Sequence, residues 1–135
     1  MKRYLLTILS FLLLSTTISI ATIRYVSKTG NSTPPYTSWA TAADSIMKCI
    51  NICVFGDTIY VANGVYKERV DMIPGLTLIG AGMDSCVIDT RGFSTVTYTV
   101  RVSDSCYFTG FQTLTKDNTN GIGTVSYTHL RAHET

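Results

Sequence analysis

The residue whose type and setting come nearest to acid–base chemistry is Glu68, which shares an alternation phase with Tyr66 and Val70. An inward carboxylate is costly unless it is partnered. Its early place in a strand, beside an open corner, gives it access to water and favours a structural role. Asp71, Asp84, Asp89 and Asp104 carry oxygens of the kind that calcium gathers about six to eight at a time. They lack the dense Asp-x-Asp spacing of a loop site, and Asp84 and Asp104 precede strands as turn residues, so no metal site is expected. Cys49 and Cys53 are one helical turn apart, but with no histidine nearby a Cys-x-x-x-Cys spacing is a poor zinc signature. With Cys86 and Cys106 they allow three pairings, and buried free thiols or one disulfide both remain open. His129 and His133 would share a helical face as a metal pair. Gly80-x-Gly82 follows a strand as a dinucleotide loop would, yet no helix is predicted after it. Tyr25, Tyr36, Trp39, Tyr60, Tyr66, Tyr98 and Tyr107 have faces that stack on sugar rings; of these, Trp39 and Tyr66 are assigned to the core.

A chain of 135 residues with 45% hydrophobic and 15% charged residues supports one domain at most. Residues 22–124 carry Arg24, Lys28, Lys48, Lys67, Arg69, Arg91, Arg101 and Lys116 against Asp44, Asp57, Glu68, Asp71, Asp84, Asp89, Asp104 and Asp117, eight against eight. A nucleic-acid binder normally shows a basic excess on one face, so that class is disfavoured. Residues 1–21 have the parts of a secretory signal: Lys2 and Arg3, an apolar run over 5–14, and Ser19-Ile20-Ala21 before a predicted cut at Thr22. Ser10, Ser15, Thr16 and Thr17 interrupt the run, so no stable membrane insertion is expected after cleavage. The expected location is outside the cell or at its surface, where disulfides are permitted.

The elements that must position these side chains begin with a short alternating strand at 22–27 and a loop at 28–37 marked by Gly30 and Pro34-Pro35. Ser38 is the predicted N-cap of a helix over about 38–53, with Trp39, Ala42, Ala43, Ile46, Cys49, Ile50 and Cys53 as its apolar face. After Gly56 the pattern is strand-like. Residues 58–62 align with 85–89 at an offset of 27, and 66–72 with 96–102 and 76–80 with 106–110 at an offset of 30. Period-two alternation puts Ile59, Val61, Val70, Met72, Leu76, Leu78, Cys86, Ile88, Val100, Val102, Cys106 and Phe108 on one face. Lys67, Arg69, Asp71, Thr97, Thr99 and Arg101 fall on the other. Three short strands per turn, each with one inward face, wind into a parallel β-helix whose stacked turns share a core, and the helix caps its first edge. Asn63-Gly64, otherwise a strong hairpin signal, then serves as a corner between sheets, and Ile73-Pro74-Gly75-Leu76 suits a type II turn.

Tyr25-Val26-Ser27-x-x-Gly30, Trp39-Ala40-Thr41-Ala42-Ala43-Asp44-Ser45-Ile46, the run from Gly56-Asp57-Thr58 to Gly64-Val65-Tyr66, and Leu76-Thr77-Leu78-Ile79-Gly80-Ala81-Gly82 resemble the N-terminal cap and first turns of secreted right-handed parallel β-helix proteins, the pectin-lyase-like superfamily. The likeness covers about 23–112. Gly64-Val65-Tyr66-Lys67-Glu68-Arg69-Val70 is also similar to the start of pectin methylesterases. The resemblance implies an all-β fold and polysaccharide as the partner. It further implies catalytic aspartates and arginines, and calcium-binding carboxylates, on later turns, so no residue of this chain receives a catalytic, cofactor or metal role. Residues 125–135 resemble the conceptual translation of a sequencing adapter and are set aside as a non-native tail, which removes both histidines and with them any Ser-His-Asp site.

The expected organisation is therefore a signal peptide at 1–21, an N-terminal strand and capping helix at 22–56, two to three β-helix turns at 57–124, and the tail at 125–135. The expected function is that of a non-catalytic N-terminal piece of an exported protein that acts on or binds polysaccharide, as a lyase or esterase would. A non-catalytic surface protein serving as adhesin or stalk is the alternative, since fold does not dictate function.

Overall fold

The computed structural model describes Tyr4, residues 20–95, 98–116, 122–124 and 131–132. Most of the export signal expected at 1–21, Thr97, and both His129 and His133 lie outside these residues. Among the described residues no helix is long and apolar enough to cross a membrane.

In chain order the elements are β1 (Ile23–Val26), α1 (Ile46–Ile50), β2 (Thr58–Val61), β3 (Gly64–Tyr66), β4 (Val70–Asp71), β5 (Thr77–Gly80), β6 (Cys86–Asp89), β7 (Val100–Val102), β8 (Tyr107–Thr109), β9 (Gln112–Leu114), β10 (Ile122–Thr124) and β11 (Arg131–Ala132). They form three sheets, ordered β1-β2-β5-β8-β11, β3-β6-β9 and β4-β7-β10. Every strand pair is parallel. From β2 onward the chain visits the first, second and third sheets in that order and then begins again. Short β-branched and aromatic runs separated by corners suit such a path, because each strand buries only alternate residues.

All twelve side chains assigned to the inward face are buried, from Ile59 and Val61 to Cys106 and Phe108. They meet α1 in a single core that also takes in Val26, Tyr36, Tyr66 and Phe111. Each fully buried aliphatic side chain there contributes about 1.5–3 kcal/mol of transfer free energy. The pairings Val70 with Val100 and Leu78 with Phe108 reproduce the alignments read at an offset of 30.

Three sequence expectations need correction. Residues 58–62 do not correspond to 85–89: β2 pairs with β5, Thr58 opposite Thr77, whereas β6 lies in another sheet and pairs with β3. Unequal corner lengths caused the misalignment, since residue spacing along the chain is not constant from turn to turn. The run 66–72 is two strands, β3 and β4, in different sheets, and the turn at 67–69 breaks its alternation. The outward assignment of Thr99 fails for a related reason. It sits at the corner before β7, fully buried, with its hydroxyl 2.8 Å from that of Thr90.

The helix is also much shorter than the expected 38–53. Its N-cap is Ser45, not Ser38. The residues before it are committed elsewhere: Ala43 bridges Val26, its N–H donates to Tyr25 O, and Ser27 N–H donates to Ala43 O. Tyr25 N–H donates in turn to Tyr36 O. Backbone that satisfies the open edge of β1 cannot also be helical. Trp39 consequently leaves the core and is half exposed, while Tyr66 is fully buried as expected.

Asn63-Gly64 joins β2 to β3, which lie in different sheets, so it is a corner and no hairpin forms there. Gly75 has φ +73, and Leu76 N–H donates to Ile73 O, as a type II turn requires. The two-residue β11 falls within the adapter-like stretch and pairs with β8. Pairing of this kind is made by main-chain groups and asks little of the sequence.

Candidate functional site

Parallel pairing of β4 with β7 sets Asp71 directly opposite Arg101. Asp71 Oδ1 forms an ion pair with Arg101 Nε at 2.8 Å and accepts from the Tyr98 hydroxyl at 3.2 Å. Its Oδ2 accepts from Arg69 Nη2 at 2.9 Å and Nε at 3.2 Å. The two guanidinium carbons stand 5.2 Å and 5.5 Å from the centre of the Tyr98 ring, within range of cation–π attraction. Both arginine side chains remain close to half exposed. Two cations thus share one carboxylate and one aromatic ring on the outer face of the third sheet. The cluster is suited to an anion: a carboxylate or sulfate approaching from solvent meets guanidinium donors already oriented by Asp71 and Tyr98.

A second charged group lies at the corners that follow β3 and β6. Lys67, Asp89, Arg91, Gly92 and Phe93 line an open hollow of about 580 Å³. Asp89 accepts from Arg91 Nη2 at 2.8 Å and Nε at 3.0 Å. Hydrogen bonding to Arg91, chiefly through its side chain, with the nearby charges of Arg91 and Lys67, holds the Asp89 carboxyl down at about 2.

The first sheet presents a different outer face. Tyr25 stacks with its register partner Tyr60 at 6.1 Å between centroids, and Trp39 tilts against Tyr25 at 4.6 Å. Trp39 and Tyr60 are exposed.

Glu68 turns out to be a structural carboxylate. Oε2 accepts from Ser45 Oγ at 2.8 Å and from Met47 N–H at 2.9 Å, and Oε1 accepts from Ile46 N–H at 2.9 Å. It therefore closes the start of α1, where unpaired N–H groups and the helix dipole both favour negative charge. Replacing Glu68 with glutamine turns one acceptor into a donor facing N–H groups. The expected loss is about 1–3 kcal/mol, measured as a lowered urea midpoint, with far-UV circular dichroism of the folded state little changed.

Of the other carboxylates singled out by sequence, Asp84 is exposed and makes no part of a cluster, and Asp104 is half buried with Oδ1 unpartnered. Among the described residues no three of His, Cys, Asp and Glu converge as a metal group would. Sequence reasoning overlooked Asp57, which is fully buried and bonded to Arg24, and it did not foresee Tyr98 between two arginines. Outward alternation flagged Arg69, Asp71 and Arg101, but only the register across turns shows that they meet. No family model, curated protein or solved structure matches the chain.

Proposed function

We propose that the chain is an exported right-handed parallel β-helix that binds acidic polysaccharide on the outer face of its third sheet and catalyses no reaction by itself. Three parallel sheets visited in constant order support the coil, and crossovers between parallel strands are right-handed in about 98% of cases. The observation that carries the binding reading is Tyr98 flanked by two exposed guanidinium groups that share a single carboxylate. A uronate carboxyl group is the natural counter-ion for such a pair, because arginine engages carboxylates bidentately.

Calorimetric titration of the full chain with galacturonate oligomers tests this. Binding is expected to weaken with added salt. It should fall at least about tenfold, or 1.4 kcal/mol, when Arg69 and Arg101 are both replaced by alanine. Equal binding of a neutral galactose oligomer, or an unchanged affinity in the double variant, would overturn it. The second reading, a non-catalytic adhesin or stalk, draws on the same cluster. Asp71 accepts two hydrogen bonds from Arg69 in its own turn, and from the next turn it takes a hydrogen bond from Tyr98 and an ion pair with Arg101, so the group also serves to tie β4 to β7. In that case the double variant changes stability slightly and binds no sugar in either form.

A further inference from the structure

We propose that Cys53 and Cys49 form a thiol–disulfide exchange pair: Cys53 attacks a small external disulfide, and Cys49 resolves the adduct into an intrachain disulfide at the end of α1. The inference is independent of sugar binding.

Geometry singles out these two of the four cysteines. Past the end of α1 the chain tightens, with Ile52 N–H donating to Cys49 O and Cys53 N–H to Ile50 O. That turn brings Cys53 Sγ to 3.2 Å from Cys49 O, so both sulfurs lie on the core-facing side of one turn. Cys49 is fully buried, while Cys53 is only partly buried. Cys53 also lies near the Arg24–Asp57 pair, whose guanidinium favours a thiolate while its carboxylate opposes one. Cys86 and Cys106 are both buried and lie in different sheets or their approaches. Their sulfurs face single carbonyls, Ala62 O at 3.6 Å and Ile73 O at 3.0 Å. Burial pushes the Cys86 thiol up to about 11.

Exposure sets the order of events: Cys53 is partly exposed, whereas Cys49 is fully buried behind it. Attack by Cys53 on oxidised glutathione forms a Cys53–glutathione bond, breaks the glutathione S–S bond and releases one glutathione thiolate. Cys49 attacks the Cys53 sulfur, its proton passes to the released thiolate, and the second glutathione leaves as thiolate. Two protein thiols are oxidised and one glutathione disulfide is reduced.

The test exposes the reduced, folded full chain to oxidised glutathione, then unfolds it in urea containing iodoacetamide. Trypsin cleavage after Lys48 and Lys67 leaves both cysteines in one peptide, 49–67, with no other cysteine in it. That peptide is expected to carry no alkylatable thiol and to be lighter by two hydrogens, while Cys86 and Cys106 are both alkylated. Cys49→Ser is expected to leave glutathione on Cys53, and Cys53→Ser to leave Cys49 free. Two alkylatable thiols in the wild-type peptide after exposure would overturn the proposal. So would a wild-type product that stops as a glutathione adduct, or a disulfide joining Cys86 to Cys106 in its place.

Discussion

Replacing Asp57 with asparagine will remove about 3–5 kcal/mol of stability, the usual result of breaking one side of a buried ion pair. Asp57 has no solvent exposure and its partner Arg24 only 9%. Its carboxylate accepts from Thr22 N–H at 2.7 Å, Val54 N–H at 3.0 Å and Arg24 Nε at 3.2 Å. Arg24 also donates through Nη1 to Pro35 O at 2.7 Å. One side chain thus joins the entry to β1, the segment after α1 and the start of β2. Asparagine keeps the shape but turns an amide donor toward existing donors and leaves the guanidinium buried without a counter-charge. Burial alone would push the Asp57 carboxyl up; the Thr22 and Val54 N–H groups and Arg24 outweigh it and leave it below the ordinary 3.8. A carboxyl with a depressed native pKa contributes stability that is fully present above its unfolded value. That contribution is lost as pH falls through the lower native value. The difference in urea midpoint between wild type and Asp57→Asn should therefore be widest near neutrality and close on acidification below 3.8. A difference that stays constant across that window would show that the charge of Asp57 is not what stabilises this corner.

Gly110→Ala is expected to be comparably damaging, for steric reasons. A Cβ on Gly110 would lie 2.3 Å from Gly80 O, and a Cβ on Gly80 would lie 2.3 Å from Gly110 O. These are backbone atoms of adjacent turns, held close by the bond from Gly82 N–H to Gly110 O at 3.1 Å. Neither can yield without spreading the first sheet at this point. Overpacking of this kind costs about 1–3 kcal/mol. Gly110 also has φ +79, which adds about 1–3 kcal/mol for an L-residue. Gly80→Ala carries only the steric part, so thermal or urea denaturation should place it between wild type and Gly110→Ala. If the two variants are equally destabilised, the backbone contribution assigned to Gly110 is wrong.

The inward rows were legible because alternation needs no knowledge of partners: Ile59 and Val61, or Val100 and Val102, announce a buried face by themselves. Pairing was legible only where adjacent turns have similar lengths. Val70 found Val100 and Leu78 found Phe108, but residues 58–62 were drawn to 85–89 because their true partner strand stands nineteen residues away. The helix was overextended because apolar spacing from Trp39 to Cys53 fits a helical face, while nothing local reveals that Ala43 is needed by β1. Long-range polar partnerships were the least visible. Glu68 was recognised as unusual, but its partners at Ser45, Ile46 and Met47 come from an element more than twenty residues earlier. In the candidate site the charges of Arg69, Asp71 and Arg101 could be read from alternation, whereas their convergence on Tyr98 depends on register between turns.

The corner between β6 and β7 spans ten residues, where the equivalent corner one turn earlier, between β3 and β4, spans three. Yet Val70 and Val100 still pair in register. Chain length at this corner is therefore uncoupled from the packing that holds the sheets together. The segment that carries Arg91 and Phe93 is the natural place to graft a peptide tag or a foreign epitope, and the place where descendants of this chain can diverge in recognition while the framework beneath stays the same.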